Sequence, residues 1–422
     1  MRSSLRGLRD DGRWQKLSIL LSGSLVLLFG SALVSVVNFG YNVSMARMLG
    51  PELFGSASAI VTLFMLCSAI TLSFQLVCAK FVARIATEGG KLAASRFFME
   101  RAWGVGLAMG LIAALCSRPI ANFLRLPSAS LVIALAVGFA FYVPLGVKRG
   151  TLQGLCKFPQ LTWNFALEAL SKFIAALILV YIGYGALGAV GAVSISVIIA
   201  LFMPIRSFPA KVESEKFEMQ SFQEGMQAII FFIGQVVINN IDILLVKHYF
   251  SPAAAGMYAA VALVGRVLYF AAWQIVSAMF PVSAAKPEEH NLHVLIVPLL
   301  GVLLICAVFI AAMGIFPGLI VHLIFGELFA SAQPLLLLYA VATGLYALSV
   351  VLMAYEMSRK IANTGWLQLL FSGVLVIAIA IFHETLRQVI LVQIVLMVLL
   401  LLVVMLPFLK TFRAHAHLQE AA

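Results

Sequence analysis

The chain has 422 residues, of which 63% are hydrophobic and 11% charged, with a formal net charge of +11. Soluble domains carry roughly a quarter charged residues, so this balance, with a mean hydropathy of +1.07, excludes a soluble globular protein. It points to an all-α polytopic membrane protein. The five cysteines (Cys67, Cys78, Cys116, Cys156, Cys306) lie mostly in apolar runs without CxxC or Cys/His spacing, which argues against a disulfide framework or a zinc site.

In chain order, a basic N-terminus, residues 1–16, leads into an apolar run over 17–39 that is too long for a signal-peptide core. A window of about 20 apolar residues predicts twelve spans. In the first half they centre near 17–39, 56–79, 102–118, 129–147, 162–182 and 186–205. In the second half they centre near 224–246, 257–281, 294–320, 334–356, 361–382 and 388–409. With both termini cytoplasmic, the cytoplasmic segments hold 21 of the 28 Lys and Arg residues and the opposite side holds 5. The positive-inside rule therefore favours that orientation. The basic excess reads as a sorting signal and an anionic-lipid contact, so no nucleic-acid partner is expected.

The turn 46-ARMLGPELFG-55 returns as 246-VKHYFSPAAAG-256. Pro51 pairs with Pro252 and Gly55 with Gly256 at one offset of 201 residues, while Gly50 has no glycine counterpart. The longest polar stretch, 206–223, falls between the sixth and seventh spans. The expected organisation is therefore a six-helix bundle over 1–205, a cytoplasmic linker over 206–223, a second six-helix bundle over 224–409 and a cytoplasmic tail over 410–422. An even number of spans per half makes the halves parallel repeats.

Ionisable residues within spans are costly and are functional candidates. Glu168 and Lys172 stand four apart, the favourable orientation for a pair on one helix. Lys172 and Arg266 each lie about ten residues into a span, about 15 Å deep at the helical rise. Two cations at that depth suit a diphosphate or another anionic head group. The plainer alternative is that Lys172 neutralises Glu168 and Arg266 snorkels or bonds helix-end carbonyls. Asp242, beside Asn239 and Asn240, reads equally as a proton or Na⁺ site or as a helix–helix hydrogen-bonding cluster. Arg84 and Arg101 lie in 80–101, where Gly89 and Gly90 are expected to break the helix. That segment is either a loop facing anionic lipid or a basic inner mouth. No HExxH, Walker A or GxSxG constellation with plausible partners is present, so no enzyme, cofactor or metal is expected.

Four motifs resemble those of the oligosaccharide (polysaccharide) flippase family, within the multidrug/oligosaccharidyl-lipid/polysaccharide flippase superfamily. LGPELFG ends at Gly55; RGTLQGLCKF begins at Arg149; a seventh span with Asp242 is followed by a turn and GMYAA; and FPVSA begins at Phe280. The second turn departs from the pattern in lacking Gly before Pro252, and the loop 282–293 carries little basic charge. The resemblance implies two pseudo-symmetric six-helix bundles around a central cavity, with the external turns Gly50, Pro51, Gly55, Pro252 and Gly256 over its outer gate. It implies a bacterial inner-membrane flippase for an undecaprenyl-diphosphate-linked oligosaccharide, serving O-antigen, capsule or exopolysaccharide assembly. On that reading Arg266 and Lys172 bind substrate, Arg84 and Arg101 line the inner mouth, and Asp242 or Glu168 couples an ion. The expected partners are the lipid-linked substrate, membrane lipids, and a polysaccharide polymerase and glycosyltransferases. A multidrug and toxin extrusion antiporter and a membrane polymerase or ligase are the alternatives. The first wants an acidic cavity and the second a long external loop.

Overall fold

The computed structural model describes the backbone of residues 2–205, 208, 226–285, 293–359 and 364–420, and the side chains of 29–205, 208, 229–276, 295–356 and 365–407. Most of the expected linker 206–223, most of the loop 282–293 and the side chains of the tail lie outside that description. Among the described residues the chain is nearly all helical, as expected. The helices are α1 (Arg2–Arg84), α2 (Glu88–Leu115), α3 (Ser117–Phe123), α4 (Ser130–Gly154), α5 (Phe158–Leu179), α6 (Gly185–Phe202) and α7 (Met226–Ile238). Then come α8 (Ile241–Tyr249), α9 (Pro252–Ala285), α10 (His293–Ile315), α11 (Pro317–Ile324), α12 (Gln333–Arg359), α13 (Thr364–Ile381) and α14 (Leu386–Glu420).

Nine helical stretches of the described residues are long and apolar enough to cross a membrane. Two of them, Phe29–Arg84 with 56 residues and Phe158–Phe202 with 45, are far longer than one span needs. Each is bent inside: the first at Gly50 (φ 69°), the second at Gly183 (φ 99°) and Gly185 (φ 53°). Each therefore supplies two passes, and the shorter apolar helix Gly365–Ile381 supplies the twelfth. This is a multi-pass membrane protein.

Several expected boundaries move. The loop after the first span, expected on the external side, shrinks to one non-helical residue, Gly50 (φ 69°, ψ 175°). Left-handed φ suits glycine, and Pro51 starts the next helix where its missing N–H costs nothing. The break expected at Gly89–Gly90 falls earlier. Thr87 caps α2 by accepting a hydrogen bond from the Gly90 amide, which leaves both glycines inside its first turn. The seventh span, expected to be continuous, is divided at Asn239–Asn240 into α7 and α8.

The chain forms two compact units, one of Met1–Met45 with Cys67–Gly225, the other of Ala46–Leu66 with Met226–Ala422. In the first, α4 packs on α2 and α6, and α5 on α6. Gly146, Gly150 and Gly154 make a stripe on α4 that faces α1. A Cβ at Gly146 would lie 2.7 Å from the Thr71 carbonyl oxygen, and one at Gly154 would lie 2.7 Å from that of Ala79. Small residues at this spacing let two backbones touch inside a membrane. In the second unit α12 packs on α9, α10 and α14, and α13 on α7. The 201-residue repeat extends beyond the turns. Arg125 (φ 47°) follows α3 as Gly326 (φ 87°) follows α11, so the same left-handed exit from a short helix occurs in both halves.

Candidate functional site

The first unit gathers its polar residues in two places. Near one end of α4 and α5, Arg149 donates from Nε to Asn164 Oδ1 at 2.8 Å and from Nη2 to Glu168. Its guanidinium also lies 4.0 Å from the Phe165 ring centroid. Asn164 in turn donates to the Ala200 carbonyl at 2.7 Å, tying α4, α5 and α6 together. Lys148 donates to the carbonyls of Ala200, Leu201 and Met203 at 3.2, 2.7 and 2.6 Å. Cations at a helix C-terminus satisfy carbonyls that lack intrahelical donors.

The Glu168–Lys172 pair expected on one helix face does not form. Glu168 takes Arg149 instead, and Lys172 donates from Nζ to Asn38 Oδ1. Its ammonium also lies 4.8 Å from the Tyr41 ring centroid. A buried arginine already fixed by Asn164 outcompetes a flexible lysine one turn away. Arg84 and Arg101 are exposed. Arg101 turns back on its own helix, donating to the Phe97 carbonyl at 3.1 Å with its guanidinium 3.3 Å from that residue's ring centroid.

In the second unit Asp242 is 2% exposed and is the hub of four elements. Its Oδ2 accepts from the Tyr258 hydroxyl of α9 at 2.8 Å, the Tyr339 hydroxyl of α12 at 2.9 Å and Gln393 Nε2 of α14 at 3.0 Å. Its Oδ1 is buried without a partner among the described residues. A carboxylate with one saturated and one vacant oxygen can accept a proton or contribute to a small cation's shell. The break at Asn239–Asn240 puts Asp242 in the first turn of α8, where a negative charge is favoured by the helix dipole. Arg266 donates from Nη2 to the Asn239 carbonyl at 3.2 Å, and its buried Nε has no partner among the described residues. Thus each of the two intraspan cations meets an asparagine, and those asparagines, Asn38 and Asn239, stand 201 residues apart.

The repeated turns also come together within the second unit. A Cβ on Gly55 would lie 2.7 Å from the Gly256 nitrogen, and a Cβ on Gly256 would overlap the Pro51 carbonyl oxygen. Phe54 meets Phe329 edge to face with centroids 6.1 Å apart. Arg47 donates to the Leu323 and Ile324 carbonyls that end α11. Lys247, expected in an external loop, is 1% exposed and donates to Ser56 Oγ at 3.0 Å.

Sequence reading missed Arg149, Tyr258, Tyr339 and Gln393. Arg149 was visible as the first residue of RGTLQG. That motif's Thr151 lies 2.8 Å from Ser95 Oγ, and its Gln153 accepts from Gln75 at 3.1 Å. Gln393 was visible only as a lone amide in an apolar run.

Solved structures share this architecture. An inward-facing multidrug resistance MATE family transporter of the MOP superfamily aligns with a TM-score of 0.73 at 14% identity, covering 91% of this chain and 96% of its own. The lipid II flippase MurJ, in an inward closed conformation, aligns with a TM-score of 0.72 at 14% identity over 91% and 87%. A MOP superfamily transporter from Pyrococcus furiosus aligns with a TM-score of 0.60 at 14% identity over 92% and 94%. The fold is therefore that of the MOP superfamily transporters. No curated protein matches the sequence. The polysaccharide biosynthesis protein family does match, over residues 20–286, and the chain belongs to it. The resemblance drawn from the four motifs is borne out.

Proposed function

We propose that the chain is a flippase that moves a polyprenyl-diphosphate-linked oligosaccharide from the cytoplasmic to the periplasmic leaflet of the bacterial inner membrane, by alternating access and with both termini cytoplasmic. Membership of the polysaccharide biosynthesis family is the observation that carries the reading. The intraspan cations Lys172 and Arg266, each half-buried and held by an asparagine, support an anionic cargo. Lys172 and Arg266 hold the diphosphate or an acidic sugar. Arg84 and Arg101 attract the phosphates at the inner mouth. Glu168 is already neutralised by Arg149, so Asp242, with its vacant oxygen, is the better coupling group. No covalent step is required. The products feed a polysaccharide polymerase, with glycosyltransferases acting upstream.

The test uses a deletion strain complemented with the wild type or with Arg266→Ala. Lipid-linked sugars are extracted, and their leaflet is read by a periplasmic modifying enzyme. Accumulation of cytoplasm-facing lipid-linked oligosaccharide in the deletion strain, relieved by wild type and not by Arg266→Ala, is the expected result. If lipid-linked sugar stays accessible from the periplasm while drug tolerance alone changes, the protein is a multidrug antiporter instead.

A further inference from the structure

Beside Arg266 the second unit carries a cluster that the flippase reading leaves unexplained. Arg266, Tyr269 and Trp273 follow one another along one face of α9, and all three are half-exposed. The Tyr269 ring stacks on Trp273 at 6.4 Å and 21°, and on Tyr346 of α12 at 5.8 Å and 26°. Two buried amides hold the phenols in place. Gln235 of α7 donates to the Tyr269 hydroxyl, and Gln368 of α13 donates to that of Tyr346 at 3.2 Å.

Three buried atoms in this cluster have no partner among the described residues: Arg266 Nε, Gln235 Oε1 and Gln368 Oε1. Buried polar groups are nearly always satisfied, so each vacancy needs a reason. A metal cation answers only the two oxygens, and a phosphate answers only the guanidinium. A polyhydroxylated ligand answers all three, because each hydroxyl both donates and accepts. Exchanging O and N in either amide turns a vacant acceptor into a vacant donor and leaves that conclusion intact. Flat, polarisable rings beside these groups match the C–H face of a pyranose, which is apolar on its face and polar at its rim.

The fold itself does not demand the cluster. The positions 201 residues before Gln235, Arg266, Tyr269, Trp273 and Tyr346 are Val34, Met65, Ser68, Leu72 and Leu145. A network needed only to pack the repeated bundle belongs in both halves, and this one occurs in the second alone.

We propose that this aromatic and amide wall is the glycan-reading subsite. Tyr269, Trp273 and Arg266 contact a sugar ring of the cargo, and Gln235 and Gln368 hold the phenols in place and meet its hydroxyls. The inference rests on the flippase reading and assigns Arg266 to the saccharide end of the cargo rather than to its diphosphate.

The test uses the full chain in nanodiscs. The probe is the oligosaccharide released by mild acid from the lipid-linked pool of the deletion strain, tagged at its reducing end. The wild type should bind it, with Tyr269→Leu and Trp273→Leu each weakening binding by about tenfold, as loss of one stacking face with its bound hydroxyl implies. Trp273→Phe should retain most of the affinity. Trp366→Leu, which removes an exposed tryptophan from α13, should change nothing and controls for folding. Wild-type affinity in both leucine variants overturns the subsite. So does a wild type that binds the intact lipid-linked pool but not the released glycan. If no lipid-linked saccharide accumulates in the deletion strain, the flippase reading itself fails.

Discussion

Replacing Gly256 by alanine adds one methyl group where two backbones already touch. The new Cβ would overlap the Pro51 carbonyl oxygen and lie 2.9 Å from the Pro51 Cα. Both obstacles are backbone atoms, so no side-chain rotation relieves them. The helix that starts at Pro51 and α9 must separate by roughly 1 Å or more, and a close-packed interior resists that. Overpacking of this kind costs about 1–3 kcal/mol, against a gain of up to about 1 kcal/mol from alanine's helix propensity. The net loss of about 1–2 kcal/mol corresponds to a Tm lower by roughly 2–8 °C for a unit of this size. Thermal unfolding of the purified protein in detergent, followed by size-exclusion fluorescence, measures it. Gly104→Ala and Gly373→Ala are the internal references, since a Cβ at either would meet nothing within 4 Å, and they should hold or raise Tm. If Gly256→Ala melts with Gly104→Ala, the close contact of the two turns does not exist in the membrane protein and the reasoning fails.

Arg149→Met removes the cation from a carboxylate that packing keeps half-buried. It should cost about 3–5 kcal/mol, and Arg149→Met with Glu168→Gln should recover part of the lost Tm; an unrecovered double variant would contradict the pairing. Asp242→Asn keeps an acceptor for Tyr258, Tyr339 and Gln393 while removing the charge. Flipping in proteoliposomes should then lose its response to a cation gradient at little change in Tm, whereas a retained response would exclude Asp242 as the coupling group. Arg47→Gln withdraws the cap on the Leu323 and Ile324 carbonyls, worth about 0.3–1 kcal/mol. Hydrogen exchange should accelerate in α11 and nowhere in α5. Lys172→Met should lower flipping severalfold with folding preserved, and unchanged flipping would remove Lys172 from the site.

Much of the architecture was legible in the sequence because its causes are periodic. Apolar length sets the spans, and the offset of 201 found in two turns carries through to Arg125 and Gly326. What was not legible depends on tertiary competition. The four-residue spacing of Glu168 and Lys172 promised a local pair, and Arg149, counted with a cytoplasmic segment by hydropathy, intercepted the carboxylate. The break in the seventh span has no Gly or Pro to announce it. There Asn239 and Asn240 donate to the carbonyls of Gln235 and Val236, at 2.8 and 2.6 Å, and compete locally with the helix. The partners of Asp242 lie 16, 97 and 151 residues away, beyond any local pattern. Lys247 looked like a loop cation because only the packed structure shows the segment that buries it.

That segment, Ala46–Leu66, has a consequence for the gene as well as for the protein. It is encoded in the first half and folds as part of the second unit. A cut within 206–223 would therefore leave the upstream polypeptide with nearly every described residue of the first unit, and the downstream one without a whole second unit. The downstream fragment would lack the helix that carries Phe54, Gly55 and Ser56, and would lack shelter for Lys247. The downstream fragment would depend on the upstream one for completion, through a loaned helix rather than a docking face. A lineage that once joined two equivalent genes in this way could not readily part them again.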